Sequence, residues 1–202
     1  MKEKIKSGIE FPEKKQELFK RKIEKYYSSV DAGDFESVYE LFADDIKYER
    51  AGRPTIEGID ELRKFYEEDR EMIEPKHSID SNIAEGDEIA VRGVVSFTKE
   101  NGEERNISFS DFFIFNEDGK IGERKTYLAE ENLDKKGLEE ADYSPESTVV
   151  EGDKKAVRGI VNFKGEDGQK QSIGFSDFST FDESGQTTES KIYLLKGYES
   201  IE

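Results

Sequence analysis

Asp111 is the residue whose surroundings most suggest chemistry. It lies in the run ISFSDFFIF at 107–115, and strand alternation there puts Phe109, Phe113 and Phe115 on the face of the carboxylate. A carboxylate among three phenyl rings is desolvated, which raises its pKa towards the range a general base needs near neutral pH. Two further side chains could share the work. Tyr48, on a strand face with Ile46, can donate a phenolic hydrogen bond to a developing oxyanion. His77 is the one histidine of the chain, so any histidine acid–base chemistry rests on it. Each has a plainer reading as well. Tyr48 reads equally as a core tyrosine, His77 as the start of an exposed strand beside Lys76, and Asp111 as half of an ion pair with Arg92 from the run 90–97.

Other chemistries find no residues to carry them. One histidine and no cysteine make no zinc set, and neither a GxxxxGK[ST] phosphate loop nor an EF-hand spacing occurs, so no metal and no cofactor are expected. The 31 basic and 48 acidic residues leave a net charge of −17, which argues against nucleic acid and anionic membranes as partners. No apolar run approaches the roughly 18–20 residues that span a bilayer, and the opening MKEKIKSGIEFPEKK has no signal-peptide core. A cytoplasmic location is the expectation.

The elements that must position these residues are legible in outline. Leu, Ile, Val and Phe supply 48 of 202 residues, enough to clear the floor of about 20% below which a chain stays disordered. Residues 13–31 place Leu18, Phe19, Ile23, Tyr26, Tyr27 and Val30 at helical spacing; Gly33 ends that helix and Asp34 caps a short second one. A strand at 45–50, with Ile46, Tyr48 and Arg50 on one face, leads to a third helix from about residue 59 carrying Leu62, Phe65 and Tyr66. A strand at 76–83 follows, with His77, Ile79 and Ser81 on one face.

Beyond it the chain repeats itself. Residues 85–128 and 151–194 align without a gap at an offset of 66, and 23 of the 44 positions are identical. Each copy reads as antiparallel strands separated by glycine turns. Asp111 and Arg92 recur as Asp177 and Arg158, and Lys125 and Tyr127 as Lys191 and Tyr193. No helical pattern precedes the second copy; residues 131–147 are polar, contain Pro145 and read as a linker. A sheet without helices has to cover a face some other way.

Residues 13–130 resemble the nuclear-transport-factor-2-like (NTF2-like) superfamily, its SnoaL-like and ketosteroid-isomerase-like members in particular. The resemblance rests on YYSSVDAGDFESVYELFADDI, YERAGRPTIEGIDELRKFYEE, HSIDSNIAEGDEIAVRGVVSF and FSDFFIFNEDGKIGERKTYL, in the order helix, helix, strand, helix, long meander. It implies an α+β cone at 1–130, three helices packed in a curved antiparallel sheet around an apolar cavity; the repeat adds, after the linker at 131–147, a helix-less meander at 148–202. Members of the superfamily dimerise through the outer faces of their sheets. The second meander is accordingly expected to pack on the first as an internal partner, giving a pseudo-dimeric monomer, with a homodimer as the alternative. SnoaL-like cyclases carry a catalytic aspartate where Asp111 stands, eight residues before the GKI turn. They pair it with a histidine of the preceding strand, where this chain offers Arg92. Two classes of function stay open. In one, Asp111 takes a proton beside the carbonyl of a small apolar molecule while Tyr48 or His77 stabilises the enolate, in a pocket lined by Phe109, Phe113, Phe115, Tyr127 and Arg92. In the other, the domain is a non-catalytic binding or assembly module.

Overall fold

A computed structural model describes residues 12–50, 53–70, 72–128, 141–164 and 168–195. Helix α1 (Pro12–Ala32) buries Phe19, Ile23, Tyr26, Tyr27 and Val30, one stripe at helical spacing; Leu18, expected on that stripe, is 49% exposed. Gly33, at φ 71°, terminates the helix in a conformation that other residues adopt at a cost. The Asp34 side chain accepts from the Ser37 amide and caps α2 (Phe35–Tyr39). Strand β1 (Phe42–Arg50) begins three residues earlier than its alternation suggests, and a short β2 (Arg53–Glu57) hairpins onto it. Helix α3 (Ile59–Lys64) then loosens into a π-turn over Phe65–Asp69.

Two antiparallel meanders follow, β3 (Ile73–Glu85), β4 (Glu88–Thr98), β5 (Glu104–Phe115) and β6 (Ile121–Leu128), then β7 (Asp142–Glu151), β8 (Lys154–Lys164), β9 (Lys170–Phe181) and β10 (Thr187–Leu195). Strand β1 lies parallel along β6, and the helices cover the inner face of this first sheet. Among the described residues the meanders join edge to edge at Leu128 and Leu194; beyond that pair the second packs against the outer face of the first. Strand β7 corrects the linker expectation, since it starts inside the stretch assigned to a linker, whose residues 131–140 lie outside the described ones.

The duplication therefore reaches one strand further back than sequence identity shows. Gly93 in β4 and Gly159 in β8 make the point. A Cβ on either would sit 2.3 Å from the Ser78 carbonyl oxygen or 2.2 Å from that of Ser144, its equivalent 66 residues on. Both strands beside these glycines are bulged, between Ile79 and Ser81 and between Pro145 and Ser147. The bulge also corrects the expectation that His77, Ile79 and Ser81 share a face. One extra residue flips the alternation, so His77 pairs with inward Val95 while Ser81 pairs with outward Arg92.

The contact between the sheets is made by equivalent residues. Ile83, Ala90, Phe112 and Tyr127 meet Val149, Ala156, Phe178 and Tyr193, each partner being the first set displaced by 66. At its centre the hydroxyls of Ser110 and Ser176 hydrogen-bond to each other. Around the rim, Arg158 reaches Glu88 at 3.1 Å and Arg92 reaches Glu189 at 2.7 Å. This is an isologous interface, like that of a two-fold dimer, within one chain.

Candidate functional site

Strand β5 is buried on both faces from Phe109 to Phe113, and its alternation sorts the candidate residues. Phe109, Asp111, Phe113 and Phe115 face the helices; Ser110 and Phe112 face the second sheet. Tyr127 and Arg92 lie on that outer face too, Tyr127 within the inter-sheet cluster and Arg92 paired to Glu189. The structure thus keeps three of the five expected pocket residues beside Asp111 and places the other two behind the sheet. Arg92 and Tyr127 and their repeats Arg158 and Tyr193 all lie at the contact between the two sheets.

Asp111 is wholly buried (0% exposed) and its partner is Arg124, not Arg92. Oδ2 accepts from Arg124 Nη2 at 2.7 Å and from the Tyr27 hydroxyl at 2.6 Å, while Oδ1 accepts from Thr126. Tyr27 comes from α1; Arg124 and Thr126 alternate on β6, directly alongside β5. Arg124 Nη1 donates to Tyr26 and, at 3.4 Å, to Tyr66, whose hydroxyls are 2.7 Å apart. The guanidinium also lies 4.4 Å over the ring of Tyr48.

Burial pushes the phenols of Tyr26 and Tyr27 well above 10 and that of Tyr48 up as well, with the Asp111 charge adding to each. Burial works against the Arg124 cation, but Asp111 and the surrounding phenols outweigh it and hold its pKa well above the usual value. The centre brings together one carboxyl group, one guanidinium and four phenol side chains.

Its protons can be counted. Thr126 has one hydroxyl proton and a carboxylate only accepts, so that proton goes to Asp111 and Tyr48 donates to Thr126 across 3.1 Å. Tyr27 donates to Asp111. Tyr26 and Tyr66 hold two protons between them, share one hydrogen bond, and otherwise only accept from Arg124. One phenolic proton is left without an acceptor among the described residues. On the other side Asp111 uses three of its roughly four acceptor positions, leaving one on Oδ1.

His77 approaches the centre from β3 without joining it. Its Nδ1 lies 2.5 Å from Asp31 Oδ1 and its ring 5.0 Å from that of Tyr27. Burial lowers its pKa, against the opposing pull of Asp31. Tyr48 reaches Asp111 only through Thr126. Sequence reasoning missed Arg124, Thr126, Tyr26, Tyr27 and Tyr66. One signal was available in the repeat, because Arg124 and Thr126 become Ser190 and Ile192 while the interface residues persist.

Elsewhere, a cleft of about 600 Å³ opens outside the cone, lined by Tyr39, Phe42, Asp45, Ile59, Arg63 and Lys120 among others, and does not reach Asp111. Among the described residues no three His, Asp or Glu side chains are grouped to hold a metal ion, and no helix is long and apolar enough to cross a membrane.

The SnoaL-like domain model matches residues 23–124, just over half of the chain, and the protein belongs to that family. Solved structures of the NTF2-like kind share the fold of the first unit. An NTF2-like protein of unknown function from Burkholderia pseudomallei is 20% identical over 55% of this chain and 89% of its own, with a TM-score of 0.51. SalBIII, an epoxide hydrolase/cyclase-like enzyme of pyran ring formation in the polyether salinomycin, is 20% identical over 59% and 95%, at 0.52. An LEH-like epoxide hydrolase of M. tuberculosis is 17% identical over 56% and 84%, at 0.51. No curated protein matches the sequence.

Proposed function

We propose that the first unit binds a small organic molecule within its cone and moves a proton on it, with Asp111 as base and the Tyr26–Tyr66 pair as acid. The observation that carries this reading is the unmatched phenolic proton backed by Arg124, beside a carboxylate with one acceptor position free. A donor and an acceptor within one buried centre suit a carbonyl, ether or epoxide oxygen next to the bond that reacts. The phenol hydrogen-bonds the oxygen, Arg124 stabilises negative charge as it develops there, and Asp111 Oδ1 accepts the proton that leaves carbon. Oxygen-rich substrates agree with the epoxide hydrolase and cyclase activities in the names of the similar structures.

A second reading draws on the packing. Asp111, Tyr27, Tyr66 and Leu62 are all buried, so the cone is filled by its own side chains, as suits a non-catalytic module whose second sheet replaces a dimer partner.

The test is deuterium exchange at the α-carbon of 2-indanone in D₂O, followed by NMR. The acid–base reading expects exchange above buffer, lost in Asp111→Asn and reduced at least about tenfold in Tyr66→Phe, with both variants shown folded by circular dichroism. Exchange no faster than buffer leaves the filled module standing.

A further inference from the structure

Arg50 ends β1 on the face of Tyr48 and Ile46, and the parallel register sets it beside Thr126 of the buried centre. Its guanidinium lies 4.1 Å over the ring of Phe65 and 5.4 Å from that of Tyr48. Arg124 also lies over the Tyr48 ring, 4.4 Å from its centre. Arg70 lies 5.6 Å from the ring of Tyr66. Three guanidinium groups therefore gather around the aromatic π-turn at Phe65 and Tyr66, in a chain whose net charge is −17.

What sets Arg50 apart is the lack of a counter-charge. Glu49, its neighbour, faces the other way and is engaged with Lys47 and Lys125. No ion pair forms at Arg50 among the described residues; burial lowers its pKa, and Arg124 and Arg53 add to that against the opposing pull of Tyr48 and Tyr66. Its Nε is buried without a hydrogen-bond partner, and so is Nε of Arg124, itself only 6% exposed. Buried N–H groups are ordinarily hydrogen-bonded, and here two guanidinium Nε atoms lie unpartnered beside the rings of Tyr48, Phe65 and Tyr66, one of them on a half-buried arginine without an ion pair.

Resting on the reading that the cone binds a small molecule, we propose that its ligand is a small carboxylic acid with an apolar body. The carboxylate sits against Arg50, the body stacks along Phe65 and Tyr48, and the oxygen function lies towards Tyr66. Guanidinium and carboxylate match in charge and fork geometry, which an ammonium does not reproduce.

Phenylacetate and its neutral isostere phenylacetamide, titrated by calorimetry against the full chain, separate the two ideas. The carboxylate is expected to bind at least about tenfold tighter than the amide. Arg50→Gln removes that advantage, so that the acid binds no better than the amide, and Arg50→Lys restores part of it. If the amide binds as well as the acid, or Arg50→Gln leaves the acid unaffected, the carboxylate assignment falls and the cone reading survives. If neither ligand binds, both fall.

Discussion

The hydroxyls of Ser110 and Ser176, 66 residues apart in sequence, hydrogen-bond to each other at the centre of the contact between the two sheets. They are the same residue of the two copies, so the local two-fold axis of the interface passes between them. Both are completely buried. Removing one hydroxyl leaves the other with no partner. Ser110→Ala or Ser176→Ala is expected to cost about 1–3 kcal/mol, whereas the double variant is close to neutral, since both buried polar groups are then gone. Urea unfolding of the three variants checks the inequality; simple additivity would show that water or another group satisfies the survivor.

The same symmetry makes a prediction for packing. Phe112 and Phe178 are equivalent rings 6.1 Å apart across the sheets. Each substitution by alanine is expected to cost about 3–5 kcal/mol, with the two costs alike. Because the rings touch, the double variant falls short of the sum by the pair's own contribution, about 0.5–1.5 kcal/mol. Unequal single costs would mean that the helices, which cover only the first sheet, also bear on Phe112.

Gly93 and Gly159 are a second matched pair. A methyl group on either meets a backbone carbonyl oxygen that a strand cannot easily withdraw. Gly93→Ala and Gly159→Ala are each expected to destabilise by at least about 1–3 kcal/mol, the range for overpacking. Thermal melts of both variants test this, and a neutral Gly159→Ala would show that the edge strand β7 yields.

How far the sequence alone reaches can be judged at particular residues. The stripe of α1, the Asp34 cap and the glycine turns follow from local chemistry, and they are where expected. The inward face of β5 also follows, because a period of two needs only the strand. Arg124 is different. It joins Asp111 through the pairing of β5 with β6, a register that no single-strand pattern contains. His77 and Ser81 fall on opposite faces because of one bulge residue, whose only local cue is the glycine in the neighbouring strand. Strand β7 keeps just three identities with β3, at Ser144, Ser147 and Glu151, and its Pro145 reads as a breaker until the bulge at an edge strand gives it a place.

The pair of Asp111 and Arg124 should show the asymmetry of buried ions. Asp111→Asn leaves a buried guanidinium without its charge partner, a change expected to cost about 3–5 kcal/mol. Replacing both, as Asp111→Leu with Arg124→Met, removes two desolvated charges together and is expected to recover most of that loss. Denaturant midpoints of the single and double variants decide it. A double variant no better than Asp111→Asn would mean that the phenols around Arg124 need the guanidinium as much as the carboxylate does.

His77 gives the protein a pH dependence of predictable sign. Its ring is packed against Tyr27 and Phe109, and Asp31 holds Nδ1; Asp111 favours the cation and Arg124 opposes it. Burial dominates, so the folded-state pKa lies below the unfolded value of about 6.5. In the pH range between the two values the unfolded chain binds more protons than the folded one, and stability rises with pH there. The contribution is complete above about pH 6.5 and is lost as the pH falls through the folded pKa. Urea midpoints of the wild type and His77→Gln at pH 7.5 and 5.5 isolate this term, because the exposed carboxylates titrate alike in both proteins. The wild type is expected to lose more stability than the variant between those two conditions. A wild type that gains on acidification would mean that Asp31 pairs with a protonated imidazole and outweighs the burial.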